Sequence, residues 1–170
     1  MKKQIILSFL VLMTSITLFA QKQKKADTAT KEWRYEIECA GIGNDGTYLI
    51  KVWSYSKKPS IAINQAKKNA VHGIIFKGFS GGGQGCVAQK PLATNPNIEF
   101  EKSDFFDPFF DEGGKYMKFV LESSAGNIDA SDMMKVGKEY KVGVVVSVSK
   151  DLLRQDLEAA GIIRGLTSGF

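Results

Sequence analysis

Apolar and polar residues alternate from Trp33 to Ala40, with Trp33, Tyr35, Ile37 and Cys39 set against Arg34, Glu36, Glu38 and Ala40. A period of two predicts a strand with one face on a core. Gly43-Asn44-Asp45-Gly46 is a dense turn signal. The following run, Thr47 to Ser56, places Tyr48, Ile50 and Val52 on one face and Leu49, Trp53 and Tyr55 on the other. The first unit is therefore predicted to be a β-hairpin. Pro59 and Ser60 then open a helix, whose stripe of Ile63, Ala66, Ala70 and Ile74, with Val71 and Ile75, has helical spacing. Asn64, Gln65, Lys67, Lys68 and Asn69 are assigned to its solvent side, and Gly78 to its stop.

The pattern then loosens. Residues 80–97 contain Gly81-Gly82-Gly83-Gln84-Gly85 and two prolines, and read as a long connection. Asp104 to Gly114 predicts one helical turn broken at Pro108. Tyr116 to Ser123 predicts a strand, with Met117, Phe119 and Leu121 on one face. Gly126 to Gly137 is a second connection, with a short turn near Ala130–Lys135. From Tyr140 to Ser149, Tyr140, Val142, Val144, Val146 and Val148 share a face, and Val145 on the other predicts a central strand. A last helix is capped by Ser149, with Asp151 in its first turn and Leu152, Leu153, Leu157 and Ala160 inward. The order ββα, long loop, ββα predicts an α+β fold: a four-stranded, mainly antiparallel sheet with two helices on one face.

The amino terminus changes the compartment. Lys2 and Lys3 precede an uncharged run from Gln4 to Phe19, and Ala20 offers a small residue before Gln21. That is the plan of a cleavable secretory signal over residues 1–20, and the run is shorter than the ~20 residues a membrane span needs. Cleavage leaves about 150 residues, the size of one domain. The formal charge of +5 shrinks when Lys2 and Lys3 leave. Much of the rest lies in Lys22, Lys24, Lys25 and Lys31, a basic leader spanning 21–31. The domain is assigned to 32–164 and a frayed terminus to 165–170. An exported chain of this kind is not expected to bind nucleic acid, and no later segment is long and apolar enough to span a membrane.

Cys39 and Cys86 are the only cysteines. In an oxidising compartment they are a disulfide candidate that would pin the glycine loop to the sheet; two separate thiols are the alternative. The glycine cluster follows a helix and precedes no Lys-Ser or Lys-Thr pair, so it does not predict a phosphate cradle. His72, the sole histidine, has no second histidine with which to share a metal and is assigned to a helix face. No cofactor, metal or catalytic residue is indicated. Phe105, Phe106, Phe109 and Phe110 carry two readings: a recognition patch for a partner if exposed, or a loop that folds back and plugs the open end of the core. The first makes them the partner-binding candidates. Asp107, Asp111 and Glu112 are the carboxylates a hydrolase would use, if a cleft held two of them at working distance.

The helix with Ala62, Ala66 and Ala70, followed downstream by the valine strand Val142–Val148, resembles small envelope domains of the flagellar assembly protein T amino-terminal type. The Phe-Ala-Gln ending of the signal resembles exported Bacteroidetes proteins. The first resemblance covers about half the mature chain and departs from the type in the glycine and phenylalanine insertions. It implies a non-catalytic envelope role. The function expected is a binding or assembly module contacting an unidentified envelope protein or glycan through residues 80–114. A small secreted hydrolase and an inhibitor or immunity-type protein are the alternatives.

Overall fold

A computed structural model describes residues 33–82, 85–123 and 128–165. The predicted signal, the leader 21–31 and residues 166–170 lie outside them. The described chain is an α+β fold in which helices pack on an antiparallel sheet. Strands β1 (Tyr35–Gly41) and β2 (Tyr48–Ser56) form the predicted hairpin, and helix α1 (Pro59–Phe76) follows. Two short helices come next, α2 (Ile98–Glu101) and α3 (Ser103–Phe109). Then come β3 (Val120–Glu122), β4 (Met133–Val136), β5 (Glu139–Val148) and helix α4 (Lys150–Ala159).

Strand β5 is central. It pairs with β2 along its whole length, from Tyr48 opposite Val148 to Ser56 opposite Tyr140. Its other edge is shared by two short strands set end to end, β3 against Val146–Val148 and β4 against Glu139–Val142. The sheet thus has five strands in four positions, one more strand than predicted. The reason lies in β4, whose four residues are all exposed and so carry no inward-facing alternation to betray a strand. Gly137, at φ 61°, opens the tight β4–β5 turn, where the first central position takes positive φ.

One sheet face is buried. Ile50, Val52, Val142, Val146 and Val148 have no exposed surface, and each such side chain contributes about 1.5–3 kcal/mol through burial. Ala62, Ala66 and Ala70 are likewise fully buried, and these small residues let α1 lie close on the sheet. The helix stops at Gly78, which takes φ 67° while its N–H bonds the Gly73 carbonyl. The segment Tyr116–Ser123 departs from the prediction. Residues Lys115–Phe119 form a 3₁₀ turn that buries Tyr116 and Phe119 together, and only three residues continue as strand. Met117 and Leu121, expected to share a face with Phe119, are exposed. In α4 the inward residues are Leu153 and Leu157, four apart, and Leu152 and Ala160 face out.

Candidate functional site

The phenylalanines turn inward. Phe106, Phe109 and Phe110 are buried and Phe105 is half-buried. Their rings stack or meet edge to face with one another and with Phe76, Tyr116 and Phe119. Helix α3 runs through Pro108 without a break, because a proline six residues into a seven-residue helix interrupts little of its hydrogen bonding. Phe106, Phe109 and Phe110 therefore offer no exposed recognition patch, and the cluster is the plug of the core. The exposed aromatic of this region is Phe100, on α2 at 86% exposure, which the sequence reading passed over.

This aromatic layer packs against α1 at Lys68, His72 and Phe76, and the helix carries a buried polar row. Gln65, Lys68, Asn69 and His72, four polar residues at helical spacing, are all buried. The assignment of Gln65, Lys68 and Asn69 to solvent is thus corrected. Asn69 donates to the Ser54 hydroxyl at 2.9 Å, and the Lys68 ammonium lies 5.6 Å from the centre of the Tyr116 ring. His72 is held from two sides: Nδ1 lies 2.6 Å from the Tyr35 hydroxyl, and Nε2 is 3.2 Å from both carboxylate oxygens of Glu99. Its ring stacks on Trp33 with centroids 3.5 Å apart. The arrangement suits a neutral imidazole that accepts from Tyr35 and donates to Glu99. Burial holds the His72 pKa below its usual value against the opposing pull of Glu99, and burial together with Glu99 pushes the Tyr35 phenol up. A Tyr–His–carboxylate chain invites comparison with a nucleophilic triad, but Tyr35 is only 7% exposed and belongs to the core. The chain is a clasp joining β1, α1 and α2, buried at Tyr35 and His72 and half-buried at Glu99.

Cys39 and Cys86 are bonded, with Cα atoms 5.9 Å apart and a separation of 47 positions in sequence. The bridge supports an oxidising, extracytoplasmic compartment. It anchors a loop whose base is closed by a two-way backbone pairing of Phe79 with Gln89, both bonds at 2.9 Å. Ser80, Gly81, Gly82, Gly85, Val87 and Ala88 are exposed, so the arm buries no side chain of its own there. The Tyr48 hydroxyl donates to Gln89 at 2.7 Å, fixing the base to β2. The turn between β1 and β2 is held from the other side, where the Asp151 N–H bonds the Gly46 carbonyl. Between turn and arm lies a cleft of about 240 Å³, lined by the bridge, Gly43–Gly46, Tyr48, Gln89 and Lys150. Ile42 and Val87 stand on its wall at 78% and 70% exposure. Two aliphatic side chains that open to water, on loops tied by a covalent bond, are a surface without an internal partner.

Asp107, Asp111 and Glu112 are exposed, and none lines this cleft. Among the described residues no side-chain hydrogen bond or ion pair orients them, and no group of three or more His, Cys, Asp or Glu is placed to hold a metal. The chain matches no family model, and no curated protein or solved structure is significantly similar to it.

Proposed function

We propose that this chain is an exported, non-enzymatic binding or assembly module of the bacterial cell envelope. On this reading its contact surface is the disulfide-pinned end: the glycine-rich arm with Val87, the neighbouring Ile42 and the cleft between them. The observation that carries the reading is the Cys39–Cys86 bridge, which fixes an otherwise coreless arm so that two exposed aliphatic side chains are presented in one geometry. Preorganisation of that kind lowers the ordering cost of association. The signal-like residues 1–20 and the bridge support a partner met outside the cytoplasm, and an envelope protein is the partner proposed. The contact region narrows to the part of 80–114 that is exposed, and Phe100 extends it beyond the arm.

The test is co-purification from envelope extract with the double variant Ile42→Ser, Val87→Ser. Both side chains are solvent-exposed, so the variant keeps the disulfide and its thermal midpoint within a degree or two while losing the partner. A variant that folds and still retains the partner at wild-type yield contradicts the assignment.

A further inference from the structure

The sheet has a second face, and its chemistry is of another kind. Helix α1 covers the face carrying Ile50 and Val52, so the opposite alternation on β2, Leu49, Lys51, Trp53 and Tyr55, points away from the core. Trp53 lies flat across this face. Its indole N–H donates to Glu38 on β1 at 2.8 Å. Its six-membered ring reaches the other way, over Gly143 on β5, where a Cβ would stand 2.9–3.1 Å from Cζ3, Cε3 and Cη2. The indole therefore bridges three strands, with its six-membered ring against the Gly143 backbone. Gly143 is the one residue between Val142 and Val148, apart from Ser147, that is not a valine, and its missing side chain is what lets the ring lie down.

The surroundings hold this platform in place. The ammonium groups of Lys51 and Lys141 lie over the ring, 5.4 Å and 5.0 Å from its centre. Tyr55 stands next along β2 and donates to Glu36. Each cation is already faced by a carboxylate: Lys51 by Asp132 at 2.9 Å, Lys141 by Glu36 at 2.7 Å, and Arg34 by Glu139. A surface of this kind has no net attraction for a strongly charged ligand, because its charges are compensated internally. It does present donors and acceptors of both signs at the edge of a flat apolar plate.

We infer that this face binds a neutral hexopyranose ring of a glycan, with Trp53 as its platform. The C–H face of such a sugar carries partial positive charge and fits the electron-rich face of an indole. Its hydroxyls both donate and accept, so they meet the carboxylates of Glu36 and Glu38 and the ammonium groups of Lys51 and Lys141 without leaving a charge unpaired. The site is carried by a different face from the disulfide-pinned end, and neither requires the other.

Calorimetric titration of the mature chain with cellohexaose, maltohexaose and chitohexaose tests this, with dextran sulfate as the acidic counter-probe. At least one neutral hexaose binds, and Trp53→Ala weakens it by about tenfold or more, while Trp53→Phe, which keeps an aromatic face, retains part of the affinity. Emission from Trp33, stacked on His72, reports in the same samples that the core is intact. The inference is overturned if none of the three neutral sugars binds, if dextran sulfate alone binds, or if a folded Trp53→Ala variant binds undiminished. Should Trp53→Ala fail to fold, the Phe variant decides: a partial loss of affinity supports the platform, and unchanged affinity counts against it.

Discussion

His72 is the residue at which the fold is most sensitive to protons. It is the sole histidine in the chain, and its folded pKa lies below the unfolded value near 6.5 because burial disfavours the imidazolium. The sign follows directly. Above about pH 6.5 both states hold a neutral ring and the clasp contributes fully; as pH falls through that value the unfolded chain takes the proton first, and stability is lost until the folded pKa is reached. Urea midpoints measured from pH 8 to pH 5.5 should therefore fall for the wild type and stay nearly level for His72→Gln; parallel slopes would show that His72 is not the group responsible. None of this was legible at His72 itself. A histidine beside Val71 on a helix reads as a face residue, and only the arrival of Tyr35 and Glu99, 37 and 27 residues away, makes it a buried link. The phenylalanines were ambiguous for a similar reason. Four rings among four acids satisfy a patch or a plug equally well, and the deciding fact is the set of rings on α1 and the 3₁₀ turn that receives them.

Elements with a strong internal period were readable, and those whose form depends on a neighbour were not. β1, β2, α1, β5 and α4 announce themselves through alternation or helical stripes and appear within a few residues of their predicted bounds. β4 has no such stripe, since it is a wholly exposed edge segment, and Lys115–Phe119 winds up as a 3₁₀ turn so that Tyr116 and Phe119 can reach the aromatic layer together. Among its described residues the arm between Phe79 and Gln89 has little packing of its own, and the bridge restrains it covalently. Removing the bridge by Cys39→Ser with Cys86→Ser is expected to lower unfolding stability by about 3–4 kcal/mol on the chain-entropy estimate for a loop of this length. Hydrogen exchange should speed up at residues 80–88 before it does so in β5. Equal protection of the arm with and without the bridge would mean that the Phe79–Gln89 pairing suffices to hold it.

At the scale of the molecule, one valine-rich strand organises everything else. β5 receives β2 on one side and two short strands on the other, α1 seals its buried face, and the aromatic layer from Phe105 to Phe119 packs against the helix through Phe76 and His72. The two surfaces proposed for contact with other molecules, the disulfide-pinned end and the sheet face with Trp53, lie on different parts of this build. The α+β class and the cysteine pairing could be argued from the chain alone, because periodicity and compartment bear on them directly. The position of the proposed contact surface could not, since it rests on which apolar residues remain uncovered after packing, Ile42, Val87 and Phe100 among them, while Phe106 and Phe109 of α3 are buried. Site-specific photo-crosslinking in envelope extract tests the central claim most directly, with the reactive side chain placed singly at Ile42, Val87 and Glu112. The account predicts one common adduct from Ile42 and Val87 and none from Glu112; an adduct from Glu112 with none from Val87 would contradict it.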